Sequence, residues 1–176
     1  MNNGDRHLWK GVVAGAAGGL AAAWVMNQFQ TGWGKATEVL QHSKTPQGEQ
    51  ERLANDADED ATMKTAEAIS ETFFHHKLSR EEKKKLGPVV HYAFGASVGA
   101  VYGALAEVDH RATVGAGLPY GAAVFVGADE VAVPAFGLSK PPKEYPASAH
   151  IYGLASHLVY GLSLEMARRG IRRMID

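Results

Sequence analysis

The chain contains no cysteine, which excludes a disulfide framework, cysteine–zinc sites and cysteine-held iron–sulfur clusters. It also lacks a dominant charge: the formal net charge is −1, so overall charge gives no case for nucleic acid or an acidic ligand. No nucleophile–base pattern, Walker loop, dinucleotide fingerprint or HExxH is present, and no enzyme activity is expected. No cleavable signal peptide is expected either. Arg6 and Lys10 precede an apolar run, but Gly11 to Phe29 is nineteen uncharged residues, longer than a usual signal core and without a clear cleavage site. A retained first transmembrane helix is the expectation.

What is present is segregated. The 176 residues suit one domain, and the mean hydropathy of −0.18 averages a polar stretch with long runs of Ala, Gly and Val. More than half of the acidic residues lie within 38–82. Crossing a bilayer takes about 20 apolar residues. Four runs come close: 11–29, 88–106, 114–136 and 149–166. The first two carry no Asp, Glu, Lys or Arg, the third only Asp129 and Glu130, the fourth only Glu165. Long runs without a basic residue are hard to place in a small soluble core.

Glycine recurs every fourth residue at Gly11, Gly15 and Gly19, at Gly95, Gly99 and Gly103, and at Gly117 and Gly121. Glycine inside a helix costs about 1 kcal/mol relative to alanine in water, whereas in lipid a stripe of small residues lets backbones pack closely. A second pattern repeats. Val101-Tyr102-Gly103 leading to Glu107 returns as Val159-Tyr160-Gly161 leading to Glu165, with His91 and His150 at the opposite ends of the two runs. Aligning Gly15 with Gly117 places Gly19 on Gly121 and Asn27 on Asp129. The expected fold is therefore all-α: a polytopic membrane protein with four transmembrane helices arranged as two repeated hairpins about an axis along the membrane normal.

Between the first two runs lies a polar insertion, 30–87, read as partly helical and outside the membrane. Thr45-Pro46-Gln47-Gly48 should break it early. Asp58 to Phe74 reads as a helix with Met63, Ala66, Ile69 and Phe73 along one face, suited to a membrane surface or to packing on the protein. Ser79-Arg-Glu-Glu82 resembles a capping box opening a short basic helix, Arg80 to Leu86. Positive charges flank both sides of the spans in similar number, so they do not fix orientation. The Arg168-Arg169-Gly170-Ile171-Arg172-Arg173 tail favours cytoplasmic termini.

Ionisable groups at membrane depth are costly and usually face the bundle interior. Asp129 lies seven residues before Phe136 and His157 seven after His150, so each sits about 10 Å below the same surface, on helices joined by a short loop. The two are expected to meet and could hold or pass a proton. Asn27 ends the first run on that side. Glu130 should point about 100° from Asp129 on an α-helix, toward the polar loop or another subunit. His91 and His150 are read as interfacial residues bonded to loop backbone, with haem or metal ligation (joined by Asp129) as the rival reading. No cofactor is expected. Pro134 should kink its helix and free a carbonyl near this cluster. Glu165 can pair with Arg168 or Arg169 at helical spacing.

The segment Gly137-Leu-Ser-Lys-Pro141-Pro142, the histidine-containing run ending Val159-Tyr160-Gly161-Leu-Ser-Leu-Glu165, and the basic tail together resemble the YagU-like family of bacterial inner-membrane proteins. The likeness extends to 88–106 with Ala106-Glu107 and to the glycine-rich start of the first run, roughly two thirds of the chain in the same order. That family carries a proline-rich segment after its first helix, where this chain has only Pro46 and an acidic insertion. The resemblance implies a multi-pass protein of the bacterial inner membrane and brings no catalytic residues. The functional expectation is a structural or accessory membrane protein that meets itself or another membrane protein through its glycine faces. A proton- or cation-handling channel or transporter is the alternative.

Overall fold

The structure is a computed structural model, and it describes residues 3–40 and 59–175. The Thr45–Gly48 break falls outside them. The described residues are all-α and form five helices. α1 is Asn3–Leu40, α2 is Ala61–Phe74, α3 is Arg80–Val108 and α5 is Ala147–Met174. α4 starts as the α-helix Leu118–Val124, continues as the π-helix Phe125–Ala132 and ends in the turn Val133–Ala135. Among the described residues, two helical segments are long and apolar enough to cross a membrane, His7–Thr37 and Arg80–Val108. The runs in α4 and α5 do not meet that standard: π geometry interrupts α4, and α5 carries histidines, Glu165 and the arginine tail.

Several elements outrun their apolar cores. α3 does not stop at Leu86. It begins with the expected capping box, Ser79 Oγ accepting from the Glu82 amide while the Ser79 amide donates to Glu82, then runs straight through Pro88 into the apolar stretch. α2 starts at Ala61 because the Asp60 carboxylate accepts from the Met63 amide, and it ends where His75 turns left-handed at φ 51°. Only part of its apolar face packs on α3: Ala66 is buried, whereas Ile69, Phe73 and Phe74 are exposed. Lys83 clamps the two helices together, reaching both Glu59 and Glu67. The hydrogen bonds that Lys83 donates to Glu67 and then to Glu59 raise its pKa above the ordinary value.

Glycine sets the helix packing. A Cβ on Gly11 or Gly103 would run into the other residue's backbone or its neighbours, and the same holds for Gly15 with Gly99 and Gly19 with Gly95. α1 and α3 are therefore antiparallel and in backbone contact over three turns. On the other side, Gly117 and Gly161 collide in the same sense, Gly121 meets the His157 carbonyl, and Gly153 lies under the Phe125 ring. Gly117 is not inside α4 but caps it, with φ 83°, a left-handed backbone that favours glycine. Two separate constraints thus fix this residue. α5 crosses α1 where Gly18 meets Leu164 and Arg168. Ala22, Ala23, Met26, Tyr102, Tyr160 and Leu164 fill the space between α1, α3 and α5.

At the end holding the termini, ion pairs close the bundle. Glu165, 1% exposed, receives Arg168 through Nε at 2.7 Å and Nη2 at 3.0 Å, and Arg169 as well. Arg172 Nε donates to Glu107 at 2.7 Å, tying α5 to α3.

Replacing Gly99 with leucine forces a side chain into the Gly15 and Gly19 backbones; a destabilisation of at least about 1–3 kcal/mol is expected from overpacking alone. Gly32→Ala, in open space, should instead be neutral or stabilising by up to about 1 kcal/mol. Unfolding titrations of the two variants check the contrast. The capping box has a pH signature too. The Ser79 hydroxyl and then the Ser79 amide lower the Glu82 pKa below 4.5. Its contribution is thus present above pH 4.5 and is lost as pH falls through the lower folded value. Protection of the Lys83 and Lys84 amides, taken relative to the intrinsic exchange rate at each pH, should fall across that acidic window and stay level between pH 5 and 8.

Candidate functional site

A cavity of about 770 Å³ opens at the loop end of the bundle. α2 and the 138–145 segment form its mouth, and it reaches inward to Gly95, Val98 and Tyr160. Its wall contains Asn27, His91, Asp129, Glu130, His150 and His157, so every polar residue singled out within the apolar runs on this side faces one space.

Asp129 and His157 come together, with Nδ1 to Oδ2 at 3.7 Å. The same Nδ1 donates to the Gly153 carbonyl, one turn back in α5, at 2.9 Å. That bond fixes which nitrogen bears hydrogen and leaves Nε2 for another partner. Asp129 remains 45% open. Glu130 does not turn away from the cluster. It meets His150 Nδ1 at 2.7 Å, while His150 Nε2 lies 3.1 Å from the Pro142 carbonyl. With acceptors at both ring nitrogens, His150 is best satisfied as a doubly protonated ring.

Backbone geometry explains the Glu130 position. Val133 N donates to the Ala128 carbonyl and Leu138 N to the Val133 carbonyl, each five residues back. A π-helix turns less per residue than an α-helix, so the adjacent carboxylates diverge less and both reach α5. Pro134 lies just past this stretch, where its missing N–H leaves the Glu130 carbonyl without an α-helical donor.

The remaining candidates differ from one another. Asn27 Nδ2 donates to the Tyr92 hydroxyl at 3.2 Å. His91 Nε2 is buried without a hydrogen-bond partner. Among the described residues, no three His, Asp or Glu side chains come together as a metal-binding group. Since both His150 nitrogens are engaged, of the His91–His150 pair only His91 is open to a ligand. Sequence patterns did not reveal Tyr145, Tyr152, Asp60 or Lys140 as wall residues. Tyr160 did stand out in the repeated pattern; its hydroxyl donates to the Gly95 carbonyl at 2.6 Å.

The fold and the site define a small all-α protein with membrane-compatible helices and an acid- and imidazole-lined cavity. The chain belongs to the family described as "Protein of unknown function (DUF1440)", whose model matches residues 60–166. The match takes in α2 to α4 and most of α5, and hence most of the cavity wall. No curated protein and no solved structure matches the chain.

Two substitutions separate residues held for ligand from residues held for stability. His91→Leu removes a buried unsatisfied nitrogen and should leave stability unchanged or raise it by about 1 kcal/mol. Glu165→Gln strips the buried Arg168 of its counter-ion and should cost about 3–5 kcal/mol. Comparing both with the parent by denaturant titration of purified protein checks the ordering.

Proposed function

We propose that the protein is a multi-pass membrane protein that handles a proton or cation in the acid–imidazole cavity. Four helices, α1, α3, α4 and α5, cross the bilayer as two hairpins, and the membrane is the bacterial inner membrane, as the YagU-like resemblance implies. The convergence of Asp129–His157 and Glu130–His150 on one cavity carries the functional reading.

Surface composition supports four spans. Trp24 of α1, Val101 of α3, Val131 of α4 and Ile151 of α5 are all more than half exposed. Apolar surface on every long helix suits lipid better than water. The contacts also support a duplicated glycine-zipped hairpin, but one turn away from the alignment in sequence. Gly11 with Gly103 corresponds to Gly117 with Gly161, and Gly15 with Gly99 corresponds to Gly121 with His157.

The same contacts bear on the accessory reading. The glycine stripes pack against each other within the chain, so they do not present a free face to a partner. Binding and exchange at the cavity, without catalysis, become the favoured role.

Proteoliposomes with an internal pH dye and imposed proton, Na⁺ or K⁺ gradients test this reading. Asp129-dependent flux is expected, reduced at least about tenfold in Asp129→Asn, which removes the charge at membrane depth. Flux equal to that of empty liposomes, or unchanged by the substitution, overturns it.

A further inference from the structure

The size and lining of the cavity restrict what can fill it. About 770 Å³ lies in the range of sites for organic molecules, roughly 300–1,000 Å³, and far exceeds the space a bare inorganic ion needs. Six aromatic residues stand in the wall: Phe94, Phe125, Phe136, Tyr145, Tyr152 and Tyr160. Three carboxylates, Asp60, Asp129 and Glu130, face it against two cationic groups, Lys140 and the doubly protonated His150. Asp60 is engaged in capping α2, which leaves Asp129 and Glu130 as the deeper acids.

Each feature excludes a class of occupant. An anion would meet two carboxylates at depth. A neutral apolar molecule would desolvate those carboxylates and return no compensating interaction. A hydrated metal ion would leave the aromatic wall without a role. An organic cation satisfies all three conditions: its charge pairs with Asp129 or Glu130, its substituents cover the apolar wall, and ring faces attract a cationic centre.

We propose that the cavity between α2, α3, α4 and α5 binds an organic cation bearing apolar groups, such as a substituted ammonium or phosphonium, with Asp129 and Glu130 opposing its charge. The assignment rests on the cation-handling reading above and narrows it to a ligand class. Charge displacement is part of it: the arriving cation takes over carboxylate oxygens that His157 and His150 otherwise face.

The test uses the full chain in nanodiscs of zwitterionic lipid, with empty nanodiscs as blank. Tetraphenylphosphonium and tetraphenylborate are probes of closely similar shape and opposite charge. Trp33 lies 6.0 Å from the wall residue Tyr152, ring centre to ring centre, so its emission reports occupancy once the exposed Trp9 and Trp24 are replaced by phenylalanine. The expected result is saturable binding of tetraphenylphosphonium above the blank and none of tetraphenylborate. Affinity should fall about tenfold or more in Asp129→Asn and in Glu130→Gln, the equivalent of about 1.4 kcal/mol. Equal binding of both probes, no phosphonium binding above blank, or undiminished affinity in both variants overturns the proposal. Should the variants fail to fold, the contrast between the two probes on the parent protein decides. Asp129-dependent proton or Na⁺ flux without phosphonium binding sinks the organic-cation assignment alone. Absence of both removes the parent reading with it.

Discussion

Backbone-to-backbone contact between α1 and α3 is the constraint on which the rest depends. With no side chain at Gly11, Gly15, Gly19, Gly95, Gly99 and Gly103, the two helices approach until carbonyl oxygens nearly touch the opposing Cα atoms. That approach brings Tyr160 of α5 within reach of the Gly95 carbonyl and lets Ala22 and Ala23 disappear completely into the interior. The second glycine contact, Gly117 on Gly161, fixes α4 against α5. What remains between α3 and the π-helical half of α4 is the cavity. Close packing at one end and open space at the other are two results of the same placement of small residues.

Polar groups divide along the same line. At the terminal end, Glu165 is paired with two arginines and Glu107 with Arg172. At the loop end, the pairing is incomplete. His91 Nε2 has no partner, and Asp129 keeps nearly half of its side chain open. A buried unsatisfied group costs stability; the terminal end carries one as well, the Tyr102 hydroxyl, but its Glu107 and Glu165 are paired with arginines, whereas the loop end leaves the Asp129 carboxylate open. This asymmetry is the physical basis for assigning ligand chemistry to one end and cohesion to the other.

The sequence made some of this legible and hid the rest for identifiable reasons. Asp129 and His157 could be paired because each stands seven residues from a shared connection, and helix rise converts that offset to depth. The Ser79–Glu82 capping box was readable because a cap is local. Glu130 was misplaced because a fixed 100° step assumes an α-helix, and no residue pattern in 125–132 announces a π-helix. The end of the first helix was misplaced for another reason. Apolarity marks the portion suited to lipid, whereas backbone hydrogen bonding continues through Gln28, Gln30 and Thr31 to Leu40. The alignment of Gly15 with Gly117 is ambiguous in sequence because a four-residue glycine period matches itself at every turn. Contacts, not spacing, break that degeneracy.

The π-helix of α4 has a consequence for how this protein can vary. A π turn holds one more residue than an α turn, so deleting a single residue from Phe125–Ala132 has a ready structural outcome: reversion to the commoner helix. In that reversion the step between Asp129 and Glu130 widens to the roughly 100° of an α-helix, drawing apart the two carboxylates that meet His157 and His150. Length, and not only identity, is therefore constrained across these eight residues. Conservative exchanges such as Val131→Ile leave the turn intact, whereas a one-residue indel dismantles the acid wall while altering no acid.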